Sequence, residues 1–221
     1  MTRQLFVCIG AWICGIALAA EPPKRPDIVA SLESPGHVLR VDVGLDEGRA
    51  SYSIKRFGET VIAPSRLGFL LRGTEKLERN LELAAQATRS HDETWGQPWG
   101  ESRFVRDQHN ELRVTFIETL KGKRRFDVIF RVFDDGVGFR YVFPDQPQLR
   151  DVIIDDELTE FDVAPEAEAW WIPAGEWNRY EYLYNRTPLR EVGQAHTPMT
   201  LRTRDGLHIA FHEAALVDYA G

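Results

Sequence analysis

Cysteine is the first scarcity. The 221 residues contain two, Cys8 and Cys14, both within the first twenty positions. Beyond them the chain has no disulfide, no thiolate nucleophile and no cysteine-ligated metal open to it. Basic charge is also short: 27 Lys and Arg stand against 34 Asp and Glu, a net charge of −7. An acidic chain lacks the surface that phosphate contacts need, which excludes nucleic acid as a partner and argues for solubility. Past residue 20 no apolar run is long enough to span a bilayer. Low-complexity tracts and internal repeats are missing. So are a nucleophile elbow, a phosphate loop and an HExxH helix.

What is present begins with a leader. Arg3 gives a short basic start, Leu5 to Leu18 is apolar, and Ala17-Leu18-Ala19 is a small-residue cleavage pattern. The run is short for a spanning helix, so residues 1–20 read as a cleaved signal peptide and the protein as secreted or periplasmic. Arg3 is the one charged residue there, leaving 26 basic against 34 acidic residues, net −8. Residues 21–35, with their prolines and charges, read as a linker or N-terminal arm that joins the sheet late. Residues 36–221 read as one domain, large enough to bury a core without disulfides.

Within that domain the pattern is alternation. Leu39, Val41, Val43 and Leu45 share one parity, as do Leu67, Phe69 and Leu71, and Leu112, Val114 and Phe116. Phe126, Val128, Phe130 and Val132 make another strand, with Ile129 and Phe133 rendering its second face partly apolar, as in the middle of a sandwich. Asp46-Glu47-Gly48, Phe57-Gly58, Asp134-Asp135-Gly136 and Arg204-Asp205-Gly206 are turns between strands. Lys76 to Thr88 has helical composition and ambiguous spacing, and reads as strand because its surroundings are sheet. The fold class is all-β, a large antiparallel β-sandwich.

Three stretches carry candidate chemistry. Ser90 to Glu101 is loop-like and rich in polar groups. Trp95 and Trp99 serve there either as a lip for a sugar or a neighbouring domain, or as pins of a long loop; composition favours the pins. The second stretch, Trp170 to Tyr184, is the most aromatic. Beside Trp177, the residues Asn178, Arg179 and Glu181 offer hydrogen-bonding groups next to flat rings, which suits carbohydrate. Tyr180, Tyr182 and Tyr184 share one parity, and an aromatic core with an Arg179–Glu181 ion pair fits equally. The third is the end of the chain. Leu207, Ile209 and Phe211 alternate, and Glu213 follows on the same parity, beside His212. A carboxylate there must pair, bind a metal or sit at the strand's open end, because burying it alone is too costly. Asp155-Asp156-Glu157 lacks the spaced oxygens of a calcium loop and reads as a solvated turn.

Several runs together carry a family resemblance. They are SRLG (Ser65 to Gly68), SHDETW (Ser90 to Trp95), RxxxNEL (Arg106 to Leu112), FRVFDDGVGFRYVFP (Phe130 to Pro144) and DELTEF (Asp156 to Phe161). AWWIPA (Ala169 to Ala174), NRYEYLY (Asn178 to Tyr184) and the terminal run from Ala195 to Gly221 continue the series. In this order they resemble the N-terminal domain of glycoside hydrolase family 97. The resemblance implies a β-supersandwich, and strand rather than helix at Lys76 to Thr88. It implies a secreted or periplasmic bacterial enzyme acting on α-glucosides or α-galactosides, usually dependent on calcium. In the family a glutamate of an HEA motif reaches from this domain into a (β/α) barrel as a calcium ligand, and here that motif is His212-Glu213-Ala214. The catalytic carboxyl groups and the other calcium ligands belong to the barrel and have no counterpart in this sequence. The chain alone is therefore expected to be inactive. The expected partners are an α-linked oligosaccharide and a catalytic barrel in cis. The competing readings are a free-standing carbohydrate-binding module and a purely structural docking domain.

Overall fold

The computed structural model describes residues 26–120, 122–150, 152–176 and 178–214. Leu39–Asp46 (β2), Arg49–Arg56 (β3) and Glu59–Arg66 (β4) follow one another through tight hairpins, with Asp27–Glu33 (β1) on the far side of β2. The turns are two residues long because Glu47–Gly48 and Phe57–Gly58 all adopt positive φ, between 47° and 88°. That geometry matches the twist of the flanking strands. Gly48 is further confined, since a Cβ there would meet the backbone of Asn80 at 3.0 Å.

Phe69–Leu71 (β5) leads into a second sheet, built in sequence order from Leu81–Gly96 (β6), Phe104–Glu118 (β7), Arg125–Val132 (β8) and Val137–Val142 (β9). Ile154–Glu157 (β10) returns to pair with β5. Glu168–Trp171 (β11), Asn185–Pro188 (β12), Met199–Arg202 (β13) and His208–Phe211 (β14) form a third sheet in the order β12-β11-β13-β14. All pairings are antiparallel. A single 3-10 turn, Leu189–Glu191, is the one helical element among the described residues. No helix there is long and apolar enough to cross a membrane.

The alternating residues meet as expected. Val41, Val43 and Tyr52 of the first sheet join Leu112, Val114, Phe116, Phe126, Val128 and Phe130 of the second in one buried cluster. Tyr52 lies 5.9 Å from Phe130 and 5.3 Å from Phe139, ring centre to ring centre, within the range over which aromatic pairs interact. The third sheet adds Ala169 and Leu201 to the same cluster. The all-β sandwich is thus observed, with three main sheets sharing a core.

The second sheet's outer face is polar and paired. Glu111 is buried and faces Arg89 on one neighbouring strand and Arg131 on the other, in register, at 2.7 and 3.0 Å. Beside it Asp127 accepts from Arg113 at 3.1 Å and from Thr115 at 2.7 Å. On the first sheet Asp42 accepts from Ser31, Arg40 and Lys55. Burial pushes the Asp42 carboxyl up, but those partners outweigh it and leave it below the usual aspartate value. Burial and the two arginines act on Glu111 in the same opposed way, with the same net direction.

A carboxyl depressed in the folded state adds stability that is complete above its unfolded pKa. That contribution is lost as pH falls through the lower native value. We therefore expect the domain to lose stability as pH drops below about 4.5. Asp42→Asn and Glu111→Gln should each lower stability at neutral pH and flatten this acid limb. Urea midpoints measured from pH 3 to 7 check it, and unchanged slopes in both variants would refute the assignment.

Three readings of the sequence need correction. Residues 21–35 are not all linker: β1 occupies Asp27–Glu33 and pairs with β2. The strand starts directly after Pro26, a position where proline's missing N–H is tolerated. Ser90 to Glu101 is not a loop throughout, because β6 runs to Gly96 against a β7 that begins at Phe104. Asp155-Asp156-Glu157 is not a solvated turn but most of β10, with Asp155 paired to Arg72 at 2.5 Å. The strand reading of Lys76 to Thr88 holds from Leu81 onward.

Candidate functional site

The end of the chain is placed by a hairpin on the third sheet. Gly206, at φ 89°, completes the turn that sends β14 back along β13 at the edge of that sheet. Ile209 and Phe211 turn inward and pack on the core, while His208 and Ala210 are exposed. Phe211 also meets Phe161, ring centres 5.0 Å apart. The strand stops at Phe211. His212 and Glu213 lie beyond it, both exposed. The parity that would have carried Glu213 inward ends with the strand, and the open-end alternative is the one observed.

Glu213 accepts a hydrogen bond from the Thr197 hydroxyl at 3.3 Å. The carbonyl of the same threonine accepts from the Tyr180 hydroxyl at 2.8 Å. His196 lies against Tyr180 with ring centres 4.7 Å apart, and its Nε2 is buried without a hydrogen-bond partner among the described residues. Thr197 precedes a cis proline, Pro198. The fold therefore joins two stretches that the sequence left separate, Glu213 and the aromatic segment.

That segment is not a strand. Residues 178–184 run as irregular chain between β11 and β12, so the shared parity of Tyr180, Tyr182 and Tyr184 does not define a face. Tyr180 and Tyr184 are exposed and Tyr182 is half-buried. Arg179 lies over the Tyr182 ring at 4.5 Å, a cation–π contact. Arg179 and Glu181 help line an open depression of about 530 Å³, with Tyr182, Leu183, Pro173 and Asn185. Asn178 is exposed, and Trp177 falls outside the described residues. Polar side chains beside aromatic faces in a shallow depression are suited to a sugar's hydroxyls and CH faces.

Trp95 and Trp99 sit elsewhere, at the far end of the second sheet's long hairpin, and both are exposed. They do not pin a loop. His91 in that hairpin approaches Glu93 at 3.6 Å and Asp107 at 3.7 Å, while Asp92 is taken by Arg106 at 2.6 Å. No group of three or more His, Cys, Asp or Glu among the described residues is arranged to hold a metal ion. Calcium takes six to eight oxygens, and one carboxylate offers at most two. The described residues thus hold no complete calcium site, and Glu213 is an exposed carboxylate that could give at most two of those oxygens.

The family model for the glycosyl hydrolase 97 N-terminal domain matches residues 32–221. The chain belongs to glycoside hydrolase family 97. A family 97 enzyme from Pseudoalteromonas sp. strain K8, solved in complex with panose and also with acarbose, is 44% identical and superposes with a TM-score of 0.83. That alignment covers 86% of this chain and 29% of the enzyme. A probable retaining α-galactosidase of Streptomyces bingchenggensis is 32% identical over 83% of this chain and 28% of its own length. A retaining α-galactosidase of Bacteroides thetaiotaomicron is 23% identical over 98% of this chain and 32% of its own length. This family 97 domain therefore spans less than a third of the relatives it matches.

Proposed function

We propose that this chain is the N-terminal, site-completing domain of a secreted, calcium-dependent glycoside hydrolase of family 97. The enzyme would act on terminal α-glucosides or α-galactosides. The observation that carries the reading is Glu213, an exposed carboxylate beyond the end of an edge strand, tied through Thr197 to Tyr180. An acid so placed is available to something outside this domain. Calcium, bound there, would supply a positive charge beside the sugar; within this chain Glu213 would hold it and Thr197 would orient Glu213. The exposed tyrosines, Arg179 and Glu181 would flank the same substrate. The Pseudoalteromonas enzyme, solved in complex with panose and with acarbose, supports an α-linked oligosaccharide as that substrate.

Hydrolysis needs two carboxyl groups flanking the scissile bond. In this reading both come from a catalytic domain in cis. Residues 21–221 alone are then expected to release nitrophenol from nitrophenyl α-glucoside and α-galactoside no faster than buffer. Turnover by the purified domain, abolished by substitution within it, would overturn the assignment. Calorimetry with maltooligosaccharides provides a separate check. Micromolar binding by the isolated domain would favour a free-standing carbohydrate-binding module instead.

A further inference from the structure

β8 pairs with β7 from Asn110 to Ile117, and beyond Asn110 the hairpin of β6 and β7 runs on as a two-stranded arm to Gly96 and Phe104. On the four-stranded part, below that arm, the sheet's outer face gathers arginine. Arg113, Ile129 and Arg140 stand directly opposite one another on β7, β8 and β9, and so share that face. The adjoining row is Arg89, Glu111 and Arg131. Asp127, two residues before Ile129, is on the same side. Four guanidiniums therefore meet two carboxylates, an excess of two positive charges in a chain whose sum is −7. Glu82 offsets Arg125 in the next row on one side, and His91 and His109 separate the other side from Glu93 and Asp107.

Ile129 is 3% exposed although it lies outside the buried core cluster, which takes Phe126, Val128, Phe130 and Val132 from the same strand. Its direct neighbours on the outer face are Arg113 and Arg140, long side chains whose stems shield apolar surface while their heads stay in water. The heads keep donors to spare, since a guanidinium has five N–H groups. Arg89 and Arg131 share Glu111, and Arg113 donates to Asp127 at 3.1 Å. Arg140 is exposed and makes no hydrogen bond or ion pair among the described residues.

We propose that this face, centred on Arg113, Ile129 and Arg140, binds a carboxylate-bearing polysaccharide of the uronic acid class. The planar guanidinium fork matches a carboxylate, as Glu111 already shows within the sheet. Arg113 and Arg140 sit two strands apart, about 9–10 Å, so they suit an extended chain with repeated acid groups better than one small anion. A glycan is the polyanion favoured because the chain belongs to a glycoside hydrolase family. The acidic remainder of the domain repels such a polymer and leaves this face as the place of contact. The face is on a different sheet from Glu213, so it would hold the protein on an acidic matrix without filling the candidate site.

Calorimetry of residues 21–221 with polygalacturonate oligomers tests this, in EDTA so that calcium cannot bridge acid to acid. Binding should be present at low ionic strength and lost by about 0.5 M salt, and dextran of equal length should not bind. Arg140→Glu should weaken binding at least about tenfold, the loss of one charge-assisted contact. Because Arg140 is exposed and unpaired among the described residues, its melting temperature should be that of the parent. Arg204→Glu makes the same charge change at the exposed β13–β14 turn and should leave binding nearly unchanged. No binding at low salt, equal binding of dextran, or equal losses in the two variants would overturn the proposal. So would polyglutamate bound as tightly as polygalacturonate, which would assign the face to an acidic protein segment.

Discussion

Glu118→Ala is expected to destabilise the domain by about 3–5 kcal/mol, the usual cost of removing one partner from a buried ion pair. Glu118 and Arg124 are 3% and 6% exposed, and Arg124 Nε and a terminal guanidinium nitrogen each reach a Glu118 oxygen at 2.5 Å. The guanidinium also donates to the Thr74 hydroxyl and the Glu75 carbonyl, fastening the segment between β5 and β6 to the β7–β8 connection. Without Glu118 the arginine keeps its charge in a site shut off from water, and that charge is the source of the penalty. The pair as a whole is worth far less than the loss of one member. Glu118→Leu with Arg124→Met removes both charges together and should return most of the stability. Urea unfolding of the two variants distinguishes these effects. A loss below about 1 kcal/mol for the single variant would show that water reaches Arg124 and that the site is not sealed.

The second large effect concerns function. In the enzyme carrying its catalytic domain, Glu213→Gln should lower calcium affinity by at least about tenfold and activity with it. Ligand charge count sets calcium affinity, and even outer partners of a metal ligand commonly contribute tenfold or more. Folding of residues 21–221 should change by no more than about 0.5 kcal/mol, because Glu213 is exposed and bonded to a single hydroxyl at 3.3 Å. Calcium titration followed by isothermal calorimetry, beside thermal melts of the short chain, gives both readouts. Should the substitution unfold the domain, Glu213 is a structural partner of Thr197 and the calcium reading fails.

The core was legible because one face of each strand had to be apolar. Leu112, Val114 and Phe116, and the four residues from Phe126 to Val132, alternate in the sequence and are fully buried in the structure. The arm was not legible for the same physical reason. Along β6 most residues from Glu82 to Gly96 face water, so no period of two is imposed and the polar residues imitate a loop. β1 was hidden by Pro22, Pro23, Pro26 and Pro35, which bracket a strand that proline cannot interrupt from outside. At the candidate site the sequence exposed Glu213 as an oddity and left open whether it pairs, binds a metal or sits at the strand's open end. Parity holds only while a strand lasts, and the stop at Phe211 has no signature in residue type. The Thr197 link was beyond reach as well, since it joins positions 16 and 17 residues apart through one side chain and one carbonyl.

The row formed by Arg89, Glu111 and Arg131 has a consequence for how the arm is assembled. A slip of one residue between β6 and β7 would turn their inner and outer faces over, and the core forbids it. A slip of two keeps the faces correct, so hydrophobic burial alone opposes it only softly. It would, however, set the buried Glu111 against Ala87 or His91 on one side, and a matching slip of β8 would bring Ile129 or Phe133 to the other. The carboxylate would then have lost both of its arginines inside the sheet. The charges in the middle of the sheet thus act as a gauge, and the distance to which Trp95 and Trp99 are carried beyond it is measured off from Glu111.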